Sequence, residues 1–166
     1  MDPNKAHYVA ATAIIIKYGK YLITRRSEKE LTFPGKWTVP GGKLERRDYE
    51  SRKKDTAHHW YNVVETLLRR EVREETNLEI KDIEYLTSLT FIRPDGIPVL
   101  VLSFYANYDS GTVKLTEDMS QYKWVTLAEL KDYDLIEGIY EEFEMLENKL
   151  KGIRKGWSIS KHPKLP

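Results

Sequence analysis

The spacing of apolar and polar positions changes several times along the chain, and each change marks an element. Residues 8–17 are nearly all apolar and rich in Val, Ile, Ala and Thr, which predicts a largely buried strand. Tyr18-Gly19-Lys20 reads as a tight turn into a second strand, Tyr21–Arg25, paired with the first. The polar run 27–36, ending in Phe33-Pro34-Gly35-Lys36, predicts a loop. Trp37–Val39 follows as a short strand that delivers the chain to a glycine turn, Pro40-Gly41-Gly42. From Tyr61 to Asn77 the period lengthens to that of a helix, with Val64, Leu67, Leu68 and Val72 on one face. Ile83–Ile92 and Val99–Tyr108 predict two strands joined through Arg93-Pro94-Asp95-Gly96-Ile97-Pro98. Tyr122–Leu127 reads as a last strand. Gly138–Leu150 reads as an acidic amphipathic helix with Ile139, Phe143, Leu146 and Leu150 on one side. There is no internal repeat. Mixed strands with two main helices predict an α/β fold, an α/β/α sandwich around a mixed sheet. At 166 residues the chain suffices for one domain, expected over 1–150, with 151–166 as a basic tail.

Composition narrows the function classes. With no cysteine, disulfide frameworks and thiolate metal sites are excluded. No 18-residue apolar stretch occurs, and Met1-Asp2-Pro3-Asn4-Lys5 lacks the apolar run of a signal peptide, so a cytoplasmic protein without a membrane span is expected. A net charge of +1 argues against a general nucleic-acid coat. Charge is uneven, however. From Lys149 to Pro166 there are six basic residues and no acid. That run reads either as a solvated tail or as a phosphate-attracting arm, for RNA, with Trp157 free to stack on a base.

The chemistry concentrates in Arg70-Glu71-Val72-Arg73-Glu74-Glu75-Thr76-Asn77-Leu78. Glu71, Glu74 and Glu75 stand at i, i+3 and i+4 on the predicted helix, within about 6 Å along its axis. Like charges at that spacing cost a helix a few tenths of a kcal/mol each, so the cluster calls for a counter-ion. Clustered hard oxygens suit Mg²⁺ or Mn²⁺. Upstream, Gly41-Gly42 lets backbone approach a ligand closely and frees a carbonyl for a metal shell.

Together these segments resemble the Nudix box, Gly-x5-Glu-x7-Arg-Glu-U-x-Glu-Glu-x-Gly-U, where U is a bulky aliphatic residue. Arg70, Glu71, Val72, Glu74, Glu75 and Leu78 match at the right spacing. The chain departs from the pattern twice. About 14 additional residues separate Glu45 from the arginine-glutamate core. Counting back from Arg70, the isolated glutamate of the box falls on Asn62, leaving Glu65 or Glu45 to take over its role. The glycine that closes the helix is Asn77, which tolerates the left-handed conformation better than most residues.

The resemblance implies a Nudix-type α/β/α sandwich and a Mg²⁺-dependent hydrolase of nucleoside diphosphates linked to a further group. Its metal ligands would be Glu71, Glu74, Glu75 and the Gly41 carbonyl. Arg70 would orient Glu74 through an i, i+4 ion pair. Glu117 or Asp118, six or seven residues before Trp124, would bind metal or act as general base, with Glu117 slightly favoured for reach. Ile23-Thr24-Arg25-Arg26 is similar to a strand end of MutT-type nucleoside triphosphate pyrophosphohydrolases. That similarity assigns Arg26 to substrate phosphate and leaves Arg25 a surface ion pair. Lys43 is a second phosphate candidate, and Trp37 and Phe33, with Tyr85 and Phe91, are candidates for stacking on a base. Trp124 is expected in the core. The insertion, placed at 46–61, mixes five basic with three acidic residues and ends in Thr56-Ala57-His58-His59-Trp60. Adjacent histidines diverge in helix and strand alike, which disfavours zinc. A lid or selectivity element is the expectation. The expected reaction converts a nucleoside triphosphate to monophosphate and pyrophosphate. ADP-ribose, nucleotide sugars and RNA 5′ ends are competing substrates, and a non-hydrolysing nucleotide-binding regulator is the rival class. Homodimers are common in the family, though no residue here marks an interface.

Overall fold

The first strand organises the molecule, because its alternate residues enter two different cores. In the computed structural model, which describes residues 2 and 5–158, that strand is β1, Tyr8–Lys17. Ile14 faces one core, while Ala11, Ala13 and Ile15 face the other. The remaining elements are β2 (Lys20–Arg26), β3 (Trp37–Thr38), β4 (Gly41–Lys43), α1 (Val63–Thr76), β5 (Leu78–Ile92), β6 (Pro98–Gly111), β7 (Met119–Val125) and α2 (Ile139–Leu150). They build a seven-stranded sheet with the path β3-β2-β1-β6-β5. Off that path β4 pairs β1 and β7 pairs β2. The pair β1–β6 is parallel and the others are antiparallel, so the sheet is mixed.

One helix covers each face. α1 inserts Leu67, Leu68 and Val72 between the sheet's Ala13, Ile15, Leu22, Leu78 and Ile80. α2 inserts Ile139, Phe143 and Leu146 against Ile14, Tyr21, Ile23, Leu86 and Tyr105. Full burial of such side chains is worth about 1.5–3 kcal/mol each. The fold is the α/β/α sandwich expected from the pattern.

Three elements differ from expectation. Gly41-Gly42 is not a turn but the start of β4, which the lack of side chains concealed. β5 begins at Leu78 rather than Ile83: α1 closes on Asn77 at φ 59°, whose N–H bonds the Arg73 carbonyl, and the chain enters the strand directly. Register irregularities at Glu79/Ile80 and Lys81/Glu84, with Asp82 at φ 52°, broke the alternation that would have announced those residues. β7 covers Met119–Val125 instead of ending at Leu127. Among the described residues no helix is long and apolar enough to cross a membrane. Residues 151–158 follow α2, and the Trp157 indole N–H donates to the Gly138 carbonyl at 3.3 Å. Residues 159–166, the rest of the expected tail, lie outside the described residues.

Candidate active site

The site begins where β4 passes under α1. Ala13 N–H bonds the Pro40 carbonyl at 2.9 Å and Leu44 N–H bonds the Val9 carbonyl at 2.7 Å. Antiparallel pairs alternate, so the peptide groups of Gly41 between them turn away from β1. The Gly41 N–H accordingly donates to Glu75 Oε2 at 3.0 Å, and its carbonyl leaves the same edge. Glycine is required at both positions. A Cβ on Gly41 would lie 2.3 Å from the Ala11 carbonyl oxygen, and one on Gly42 would lie 2.2 Å from the Glu71 carboxyl. The missing side chains are what lets α1 set its carboxylates against the strand.

Arg70 holds this arrangement from below. Its Nε and Nη2 bond the two Asp48 oxygens at 2.5 and 3.1 Å. Its Nη1 reaches Glu74 at 2.8 Å and Glu71 at 2.9 Å, and Nη2 donates to the Lys43 carbonyl at 3.3 Å. Asp48 ends a single 3₁₀ turn, Arg46–Asp48, and accepts the Glu45 N–H at 2.8 Å. Burial alone would push the Asp48 carboxyl up, but the Arg70 bonds outweigh it and hold the group below the usual range. Sequence reasoning missed Asp48. Counted forward from Gly42 it stands six residues on, at the spacing of the box acid. Counting back from Arg70 had passed over it to Asn62. Asn62 instead lies at the start of α1 with φ 56°, and its carbonyl accepts from Thr66. Glu65 pairs with Arg69 and Glu45 with Arg47, so neither reaches Arg70. The additional length therefore sits at 49–62, after Asp48, and not at 46–61.

Around the carboxylates the charges are ordered. Burial raises Glu71, an effect that Arg70 opposes and Glu74 reinforces. Burial also pushes the deeply set Glu75 carboxyl up to about 8; the Gly41 N–H and Arg26 lower it, while Glu71 and Asp118 raise it. Arg26 and Asp118 thus both act on Glu75. Met119, next to Asp118, pairs with Arg26, and the Ser27 N–H bonds the Asp118 carbonyl at 2.8 Å. The Asp118 charge is felt at Glu75. Arg26 is steadied by the Thr32 carbonyl at 2.8 Å and by Glu30 at 2.5 Å, whereas Arg25 pairs with Glu28 at the surface. Lys43 follows the strand alternation to the face opposite Glu71, with Nζ 6.0 Å from the Tyr8 ring centre.

Two aromatic expectations part company. Trp37 is 8% exposed, sits in the α2 core and meets Tyr133 edge-on at 4.9 Å, so it cannot stack on a ligand. Its short strand is pinned on both sides, by Thr38–Thr24 pairing and by the Ile136 N–H on the Trp37 carbonyl. Phe33 remains 40% exposed, at φ 52°, and leans on Phe91 at 5.5 Å between centroids. Tyr85 is exposed and meets Phe104, while Trp124 packs beside the α1 core. Residues 49–62 close on themselves: Trp60 stacks on Tyr49 at 5.3 Å and bonds the Arg52 carbonyl, and Asp55 accepts the Tyr61 N–H at 2.8 Å. His58 and His59 are perpendicular and His59 Nδ1 is engaged by Thr56.

Among the described residues no three acidic or histidine side chains converge on one point, since Glu74 is drawn toward Arg70 and, at 3.6 Å, toward Arg47. The donor set still fits a hard divalent cation. Glu71 and Glu75 are shielded carboxylates, both raised by burial, with Glu71 adding to the rise of Glu75, and the outward Gly41 carbonyl adds a neutral oxygen. Mg²⁺ keeps several waters and needs only a few protein oxygens.

A family model described as the NUDIX domain matches residues 6–146. The nucleoside triphosphatase NudI of Escherichia coli K12 is 28% identical over 128 residues, covering 70% of this chain and 80% of NudI. The crystal structure of a MutT protein from Methanosarcina mazei Go1 superposes with a TM-score of 0.66 at 27% identity, covering 89% of this chain and 97% of that one. The NUDIX domain of Shewanella oneidensis NrtR, solved with ADP ribose, shares the fold at 21% identity and a TM-score of 0.66, covering 90% and 94% of the two chains.

Proposed function

The chain belongs to the NUDIX domain family, a pyrophosphohydrolase among its members, and from that premise we propose that it hydrolyses nucleoside triphosphates to monophosphate and pyrophosphate with Mg²⁺. The observation that carries this reading is the pair of shielded carboxylates, Glu71 and Glu75, set against Gly41-Gly42 and held by the Asp48–Arg70 bonds. The likeness to a nucleoside triphosphatase and to a MutT protein supports the triphosphate over other diphosphate substrates.

A diphosphate resists attack because its oxygens repel a nucleophile. Mg²⁺, held by Glu71, Glu74, Glu75 and the Gly41 carbonyl, would neutralise that charge and acidify the attacking water; Mn²⁺ would serve in the same place. The chain's own groups do the rest. Arg26 pairs with the phosphates and fixes the bridge in line for displacement. Arg70 keeps Glu71 and Glu74 in register. Asp118, the loop acid whose charge acts on Glu75, accepts the proton of the attacking water, while the P–O bond of the bridge breaks and pyrophosphate departs.

The test is a phosphate-release screen coupled to pyrophosphatase, run with Mg²⁺ and again after chelation, over nucleoside triphosphates, ADP-ribose, nucleotide sugars and dinucleoside polyphosphates. Metal-dependent turnover confined to triphosphates is expected. Turnover confined to another class keeps the chemistry and replaces the substrate. A folded protein that binds nucleotide but turns over none of them is a regulator.

A further inference from the structure

The bonds that fix the carboxylates also bring a second guanidinium to them, one the chemistry above does not use. Asp48 is the last residue of the Arg46–Asp48 turn, and its bonds to Arg70 tie that turn to α1. Arg47 is thereby carried to the Glu74 side chain. Its Nη2 lies 3.6 Å from Glu74 Oε2, the same oxygen that Arg70 Nη1 holds at 2.8 Å. Among the described residues, Glu74 is the one carboxylate of the three with two guanidiniums in ion-pair reach. Glu71 has Arg70, and Glu75 accepts the Gly41 N–H.

The two cations differ in what else holds them. The Arg70 side chain is 16% exposed and gives its other donors to the fully covered Asp48 carboxylate and to the Lys43 carbonyl. It cannot swing away from Glu74 without stranding a buried charge. The Arg47 side chain is 57% exposed, and its other ion pair is with the half-exposed Glu45 at 2.8 Å. Surface pairs of this kind hold their geometry weakly. Of the two guanidiniums on Glu74 Oε2, Arg47 is the one that can leave. While it stays, it opposes a divalent cation twice over, by its own positive charge and by occupying an oxygen the cation would take.

We infer that Arg47 is an exchangeable counter-ion of Glu74, which draws that carboxylate away from Glu71 and Glu75 until a divalent cation displaces the guanidinium. The inference rests on the reading of the three glutamates as metal ligands and adds the residue that sets how tightly the free protein takes the metal. Arg47 is a positioning residue, because it acts on the cation through Glu74. Arg46 supplies an internal reference: it carries the same charge in the same turn but pairs with Glu50.

The experiment measures Mn²⁺ binding to the full chain without substrate, by calorimetry and by the electron paramagnetic resonance signal of the free ion. It compares wild type with Arg47→Gln, Arg46→Gln, Glu74→Gln and the double variant Arg47→Gln/Glu74→Gln. Arg47→Gln should bind Mn²⁺ about two- to fivefold more tightly than wild type, the size of one exposed ion pair. Arg46→Gln should leave the constant nearly unchanged. Glu74→Gln should weaken binding, and adding Arg47→Gln to it should bring no further tightening, because the two residues act as a pair. Equal tightening by Arg46→Gln, or tightening by Arg47→Gln that persists beside Glu74→Gln, would overturn the inference by reducing it to net charge. If Glu74→Gln weakens binding while Arg47→Gln changes nothing, the metal reading stands and the inference alone fails. If Glu74→Gln binds as wild type does, or no variant binds, the metal reading fails and the inference falls with it.

Discussion

Asp48 and Glu142 are the two charged residues most completely buried among those described, and the sheet lies between them. Asp48 faces a guanidinium that meets it with two bonds, and its charge is an asset to the fold. Glu142 faces a hydroxyl, and its charge is a liability. Opposite pH signatures follow. The folded-state pKa of Asp48 is depressed, so the stability it contributes is present above its unfolded value and is lost as the pH falls through the folded one. The folded-state pKa of Glu142 is raised from 4.5 to about 7, so its cost is absent below 4.5 and grows as the pH climbs toward 7. One carboxylate strengthens the fold when charged and the other weakens it.

The sharpest break in this contrast comes at the carboxylates that Arg70 orients. Glu74→Gln should lower kcat by roughly two to three orders of magnitude with the fold intact, the size typical of a lost electrostatic contact to the reacting group, as read by steady-state turnover and circular dichroism. Arg70→Met should destabilise by about 3–5 kcal/mol, because it strands Asp48 as a buried unpaired charge, as measured by urea unfolding at neutral pH. Reducing the pH of that measurement to near 3 should shrink the difference between Arg70→Met and wild type, since protonated Asp48 no longer needs its partner. Glu142→Gln should do the reverse. It should match wild type near pH 4 and become the more stable protein by pH 8, with a gain bounded by roughly 3 kcal/mol. The smallest effect belongs to residues 49–62. Bridging Asp48 to Val63 with a short Gly/Ser link should leave the melting temperature within a few degrees, because long surface loops add little to closure entropy. Such a bridge should alter relative rates among substrates; an unchanged profile would remove the lid or selectivity role.

What the sequence made legible was whatever lies close along the chain. The strand Tyr8–Lys17, the helix face of Leu67, Leu68 and Val72, and the acidic triplet of α1 all declare themselves within one or two turns. Asn77 closing the helix was legible too, because φ above zero has few tenants. Contacts across distance were not. Arg70 and Asp48 are 22 residues apart, and counting back across the intervening loop missed an acid that counting forward from Gly42 reaches and the pairing with Arg70 identifies. Glu142 looked like one more acid on an acidic helix, since nothing local shows that it points at Ser103. Trp37 misled for the opposite reason. An aromatic beside a glycine turn suggests a ligand platform, yet the strand pairing there turns the ring inward onto Tyr133.

The self-contained packing of residues 49–62, with Trp60 on Tyr49 and Asp55 on Tyr61, has a practical consequence. A segment that satisfies its own bonds and enters and leaves beside the Arg46–Asp48 turn and α1 is a natural socket for grafting. A fluorescent reporter or an affinity handle spliced there would leave the Arg46–Asp48 turn and the carboxylates of α1 uninterrupted.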